Sequence, residues 1–211
     1  MPTDMMVAID LSGSMNDDGG EPPQPISAVK TAAAAFVERT RELDTVGLVI
    51  YATEAVVALP LSSDRTGVQQ AIKNLVIAPE SETGSTNTGD ALRLAGEELI
   101  SERHNPDARK VLVLLTDGLA TAPDEDPEGY AEAAASVVRQ DGTEVYVIGL
   151  GENVNMDFVR RIATTPAYAY QALTRDDVDR IYQTITSAIC EDGAAVIDIL
   201  AKTDAGFIPL R

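Results

Sequence analysis

Val7-Ala8-Ile9-Asp10-Leu11-Ser12-Gly13-Ser14-Met15 is the stretch from which the rest of the chain is read. An apolar run ends abruptly in a carboxylate, two hydroxyls and a glycine. Met5 to Ile9 is apolar without alternation, the pattern of a short strand buried on both faces of a parallel sheet. Asp10 then stands where the strand leaves the sheet, and in open parallel sheets ligands bind at the carboxyl ends of the strands. Asp10, Ser12 and Ser14 offer one carboxylate and two hydroxyls from a single turn. All are hard oxygen donors, the kind that suit Mg²⁺, Mn²⁺ or Ca²⁺. One carboxylate holds a divalent ion poorly, so more oxygens are expected elsewhere in the chain.

Two later stretches offer them. Thr83-Gly84-Ser85-Thr86-Asn87-Thr88-Gly89-Asp90-Ala91-Leu92 reads as a loop entering a helix, and Val111-Leu112-Val113-Leu114-Leu115-Thr116-Asp117-Gly118 as another buried strand ending in an acid. D-x-S-x-S, T-x-T-G-x-A-L and hydrophobic-T-D-G, in that order, resemble the von Willebrand factor A domain. This is also called the integrin I-like domain, and its metal site is the metal-ion-dependent adhesion site. The resemblance covers about residues 4–190. It implies a metal centre of Asp10, Ser12 and Ser14 from the first motif, Thr86 from the second and Asp117 from the third. In the family the serine hydroxyls bind the ion directly, the threonine does so when a ligand is present, and the aspartates often act through water. An ion so short of direct negative charge takes one more oxygen from an Asp or Glu of a partner protein. The resemblance thus implies Mg²⁺ or Mn²⁺ as cofactor and metal-bridged protein binding, without catalysis. Asp17 and Asp18 follow at the spacing D-x-S-x-S-x-x-D-D of integrin β-subunit I-like domains, where the two acids bind an adjacent Ca²⁺. Here they precede two glycines, and a solvated turn is the other reading.

The bulk numbers agree with one α/β domain. The chain has 211 residues and is 45% hydrophobic, with 4% aromatics and no Trp, so its core is aliphatic. Acids outnumber bases by 34 to 16, a formal net charge of −18. That argues against nucleic acid as a partner, because phosphate binding needs a basic face, and disfavours an anionic membrane surface. The single cysteine, Cys190, permits no intrachain disulfide. It closes an apolar helical pattern and reads as a small buried hydrophobe. No segment approaches the roughly 18 apolar residues of a membrane-spanning helix, and no signal peptide is evident.

In chain order the pattern predicts a loop at 16–24, then a helix with Ile26, Val29, Ala33, Phe36, Val37 and Thr40 on one face. A hairpin follows: Thr45 to Ala52 and Ala55 to Leu59. Next come a helix capped by Ser63 or Asp64, a helix over about Thr88 to Ser101 broken by Asn105-Pro106, and a central strand from Lys110 to Thr116. The remaining elements are a helix Gly129 to Gln140, a strand Thr143 to Leu150, a helix Met156 to Ala163, a strand Tyr168 to Ala172 and a helix Asp176 to Cys190. Strands alternating with helices predict a doubly wound, mostly parallel six-stranded sheet with one antiparallel edge strand and helices on both faces. Residues 1–190 are expected to form this domain, and residues 191–211 a C-terminal extension or linker stub. The loops 16–24, 78–87 and 118–128 should share the metal face. Their acids, Asp17, Asp18, Glu21, Glu80, Glu82, Asp124, Glu125, Asp126 and Glu128, predict cation enrichment there and partners with basic flanks.

No enzyme constellation competes well. The only histidine, His104, sits at a helix end and reads as a surface residue. No G-x-S-x-G elbow occurs, and Gly149-Leu150-Gly151-Glu152-Asn153-Val154 mimics a dinucleotide loop only in part. A Mg²⁺-dependent phosphatase of the haloacid-dehalogenase type also ends its first strand in Asp, but it resembles D-x-D, and Ser12 stands where the second acid belongs. The expected function is a cation-dependent adhesion domain, monomeric in isolation and extracellular or on a cell surface as part of a longer protein. The alternative is a cytoplasmic scaffold subunit partnering an AAA-type ATPase, as in metal chelatases.

Overall fold

The first strand, β1 (Thr3–Asp10), is buried along its whole length, as its unbroken apolar run requires. A computed structural model describes residues 1–16, 25–78, 84–123, 125–152 and 154–190. After β1 come a 3-10 turn (Gly13–Met15), α1 (Pro25–Glu38), β2 (Thr45–Tyr51), β3 (Ala55–Ser62) and α2 (Arg65–Lys73). Then follow α3 (Thr88–Leu99), β4 (Arg109–Thr116), α4 (Pro127–Gln140), β5 (Glu144–Leu150), α5 (Met156–Ile162), β6 (Ala169–Ala172) and α6 (Arg175–Cys190). The expected tail, 191–211, lies outside the described residues, as does the side chain of Cys190.

The six strands form one sheet in the order β3-β2-β1-β4-β5-β6. Every pairing is parallel except that of β2 with the edge strand β3. This is the doubly wound α/β sheet that the alternation of elements predicts. Period-two alternation splits the interior into two cores. Met5, Val7 and Ile9 of β1, with Val111, Val113 and Leu115 of β4, pack against α1, α2 and α6. Met6, Ala8, Leu112 and Leu114 face the other way, toward α3, α4 and α5. Helices start where short polar side chains accept an otherwise orphaned N–H. Asp64 caps α2 from Gly67 N at 3.0 Å, Asn87 caps α3 from Asp90 N at 3.1 Å, and Asp126 caps α4 from Gly129 N at 3.1 Å. Pro127 then takes the first position of α4, where no N–H is needed.

One sequence expectation fails. His104 is not a surface residue: its side chain is 16% exposed, and Nδ1 lies 2.7 Å from Asp4 Oδ2. The cause is Asp4, 1% exposed at the start of a central strand, whose carboxylate needs donors once it leaves water. Thr45 Oγ1 donates to Asp4 Oδ1 at 2.7 Å, and the Asn105 peptide donates to Oδ2 at 2.8 Å. This cluster lies at the amino edge of the sheet, six residues along β1 from Asp10, so about 20 Å from it.

A second interior group is less well provided for. Tyr182 of α6 is fully buried and packs on Phe36 of α1 with ring centroids 5.0 Å apart. Its hydroxyl has no hydrogen-bond partner among the described residues. Removing a buried, unpaired hydroxyl while keeping the ring lifts a desolvation penalty of about 1–3 kcal/mol. Tyr182→Phe is therefore expected to stabilise the domain by about 1 kcal/mol, read as a higher urea midpoint at unchanged slope. A lower midpoint would show that the hydroxyl is partnered.

Candidate metal centre

Asp10 and Asp117 come together because β1 and β4 are neighbours, paired in register from Thr3↔Arg109 to Ile9↔Leu115. From β1 the chain winds outward through β2 and β3, then returns to lay β4 on the other side of β1. In doubly wound sheets such a reversal of strand order is where ligands bind, at the carboxyl edge. Asp10 is wholly buried there. Its Oδ1 accepts from the Ser12 peptide N–H at 2.9 Å, and its Oδ2 accepts from the Thr116 hydroxyl at 2.9 Å. The first bond folds the chain back into the 3-10 turn, which turns Ser12 and Ser14 toward Asp117.

The two serines and Asp117 form a row of oxygens. Ser12 Oγ and Ser14 Oγ are 3.2 Å apart, and Ser14 Oγ donates to Asp117 Oδ1 at 2.9 Å. An octahedral ion about 2.1 Å from each ligand sets neighbouring oxygens about 3 Å apart, so this row matches adjacent corners of a Mg²⁺ or Mn²⁺ shell. Four of the five sequence-predicted residues are thus linked in one hydrogen-bonded group: Asp10, Ser12, Ser14 and Asp117.

Thr86 arrives separately, buried just ahead of α3. Its peptide N–H donates to Thr121 Oγ1 at 2.8 Å, and its carbonyl accepts from Thr121 N at 2.9 Å and Ala122 N at 3.3 Å. The next peptide, Asn87 N, donates to Ala52 O at 2.7 Å, just past β2. Thr86 is therefore fastened to the loop that leaves Asp117.

Sequence reasoning missed two contributors. Thr116 orients Asp10, although its place in the T-D-G motif was a signal. Tyr51 lies beneath the site with its hydroxyl donating to Leu115 O at 2.7 Å. It ends a strand as an ordinary core aromatic would, and nothing in sequence marks it.

The electrostatics of the group are those of an uncompensated acidic pair. Burial pushes the Asp10 carboxyl up to about 7, the charge of Asp117 adds to the rise, and hydrogen bonds from Ser12 and Thr116 oppose it. Burial also raises Asp117, against the hydrogen bond from Ser14. The Tyr51 phenol is pushed well up by burial and by the charge of Asp10. Hard oxygens at octahedral spacing and two carboxylates without a basic partner fit a small divalent cation. Among the described residues no cluster of three or more His, Cys, Asp or Glu side chains offers a competing site.

Asp17 and Asp18, the expected ligands of an adjacent ion, lie outside the described residues, as do Glu21, Glu80, Glu82 and Asp124 of the expected acidic rim. Of the described rim acids, Glu125 and Asp126 are exposed, but Asp126 is engaged as the cap of α4. Glu128 pairs with Arg161 at 2.5 Å.

The raised Asp10 carboxyl sets a pH dependence for metal-free protein. Its folded value of about 7 lies above the unfolded value of about 3.9. The folded state therefore binds more protons between those limits, and stability falls as pH rises through that window, then levels. Asp10→Asn removes this slope. In chelator, the variant is expected to gain about 2–3 kcal/mol on wild type between about pH 5 and pH 8, measured by urea denaturation at both. Parallel wild-type and variant profiles would contradict the burial of a titrating Asp10.

Known proteins with the same arrangement can now be compared. The family model of the von Willebrand factor type A domain matches residues 4–184. The chain is 29% identical over 150 residues to a UPF0353 protein of Mycolicibacterium paratuberculosis, covering 70% of this chain and 44% of that protein. It is 27% identical over 171 residues to the collagen alpha-1(XXI) chain of Xenopus laevis, covering 77% of this chain and 16% of the collagen. Among solved structures, proximal thread matrix protein 1 from the mussel byssus, with a zinc-occupied MIDAS motif, superposes with a TM-score of 0.75 at 20% identity. That match covers 89% of this chain and 48% of the mussel protein. The chain thus spans less than half the length of each of these relatives. The match of the family model over nearly the whole described domain, on the sheet order and strand-end loops seen here, places the chain in the von Willebrand factor type A domain family.

Proposed function

We propose that this domain binds a protein partner through a divalent cation held by Asp10, Ser12, Ser14, Thr86 and Asp117. The observation that carries this reading is the row of oxygens from Ser12 through Ser14 to Asp117 at 3.2 and 2.9 Å, beside a buried Asp10. Mg²⁺ or Mn²⁺ suits these donors best, because every one is a hard oxygen and the row at 3.2 and 2.9 Å matches a compact octahedral shell. When bound, the ion would supply a positive centre with room for one more anionic ligand. The protein groups around it have separate tasks. Asp10 is held by Ser12 N and Thr116 and neutralises the ion from below, Ser14 fixes Asp117, and Thr86 stands on the opposite loop. A partner's Asp or Glu is the ligand of matching charge and hardness.

The relatives support the same direction. A collagen chain and a byssal thread matrix protein are extracellular matrix components by name, and for the mussel protein a divalent ion in the corresponding motif is on record. By this reading the domain, residues 1–190, works outside the cell or at its surface as a non-catalytic binding module. No helix among the described residues is long and apolar enough to cross a membrane. A bacterial relative of similar identity carries no such indication of compartment in its name.

The test is calorimetric titration of Mg²⁺ and Mn²⁺ into chelator-stripped protein, beside Asp10→Ala and Ser14→Ala. Saturable binding of one ion is expected in wild type, with loss in Asp10→Ala and a drop of roughly tenfold or more in Ser14→Ala, while far-ultraviolet circular dichroism stays the same. Wild-type protein that takes up neither ion would overturn the metal-dependent reading.

A further inference from the structure

The loop after β4 does more than deliver Asp117. Four residues past that acid, Thr121 turns its hydroxyl back onto the Thr86 peptide and accepts its N–H at 2.8 Å. The Thr121 and Ala122 peptides return the contact, donating to the Thr86 carbonyl at 2.9 and 3.3 Å. Buried Ala120 and Ala122 pin this loop down on either side of exposed Thr121. The same two segments meet again a turn later. Tyr130 Oη of α4 donates to Asp90 Oδ1 in the first turn of α3 at 2.8 Å, and Asp90 Oδ2 accepts from Asn87 Nδ2 at 2.7 Å. The Tyr130 ring lies so close on Gly89 that a Cβ there would collide with it, so the two helices approach here through a residue without a side chain.

We propose that Thr121 is a positioning residue of the candidate metal centre: its hydroxyl sets Thr86 against Asp117, so that the two outlying ligands are presented as one unit. This rests on the metal-centre reading above. The physical reason lies in the Thr86 N–H. Thr86 is 7% exposed and precedes the capped turn of α3, so its N–H has no helical carbonyl to bind. A buried N–H without an acceptor is unfavourable, and without the Thr121 hydroxyl the Thr86 peptide would rotate toward water. Its side chain would turn with it, out of the place that its bonds to the loop after Asp117 give it. An exposed threonine thereby acts on the metal through another residue's backbone.

The experiment measures Mn²⁺ affinity in the 211-residue wild type, Thr121→Val and Thr121→Ser at 25 °C, with folding checked by circular dichroism and Tyr130→Phe as a second strut variant. Amide hydrogen exchange at Thr86 is followed in the same proteins. Thr121→Val keeps the β-branched shape and removes only the acceptor, whereas Thr121→Ser keeps it. The expected result is about tenfold weaker Mn²⁺ binding and faster Thr86 exchange in Thr121→Val. Thr121→Ser should match wild type within about twofold, and Tyr130→Phe should fall between the two. A purely structural role would alter thermal stability without moving the affinity of the folded protein. Thr121→Val with wild-type affinity would overturn the inference and leave the metal centre standing. Wild type that binds no Mn²⁺ would instead overturn the metal centre, and the inference with it.

Discussion

The carboxylate of Asp10 is fully buried at the end of a central strand, held by the Ser12 peptide and the Thr116 hydroxyl, and faces a second acid, Asp117, from the neighbouring strand. Burying a carboxylate is tolerable only when donors or a cation replace its water. Hydrogen bonds from Ser12 and Thr116 lower the Asp10 value, but burial and the charge of Asp117 outweigh them, and it stands at about 7. A cation at this spot would relieve both the desolvation and the repulsion between the two acids. Beside them the Ser12, Ser14 and Asp117 oxygens stand 3.2 and 2.9 Å apart.

The amino edge of the same sheet shows what the carboxyl edge lacks. There, Asp44 is 1% exposed and accepts from Arg41 and from the Thr3 peptide. Glu144 forms a two-point pair with Arg109 at 2.5 and 2.6 Å, and Arg109 also reaches the Ala188 and Ile189 carbonyls at the end of α6. Asp4 is met by His104, Thr45 and Asn105. Acids at this edge are satisfied within the chain, which suits anchoring. No ion pair among the described residues involves Asp10 or Asp117.

Sheet order turns one motif into a site. Had β4 been laid beside β2 instead of β1, Asp117 would stand a further strand away, about 5 Å more distant, beyond reach of the Ser14 hydroxyl. The observed reversal between β1 and β4 puts both acids at one carboxyl edge. Thr86 is brought in over the top by α3. Just past Thr86, α3 and α4 approach closely at Gly89 and Tyr130.

Much of this was legible in the sequence. The unbroken apolar runs of β1 and β4, the hairpin at Thr53-Glu54 and the helix cap at Asp64 are local signals, written in residues a few positions apart. They determined the α/β alternation and the antiparallel edge strand, while the resemblance of three motifs to a known family named Asp10, Ser12, Ser14, Thr86 and Asp117 as candidates. Contacts between distant segments carry no such mark. The Asp4–His104 pair spans 100 residues, the Thr116 hydroxyl meets Asp10 across 106, and the Thr121 clasp on Thr86 joins two loops 35 apart. Only the tertiary structure decided these, because hydrogen bonding depends on a few ångströms of separation, and that separation is set by how strands are ordered in the sheet rather than by their spacing along the chain.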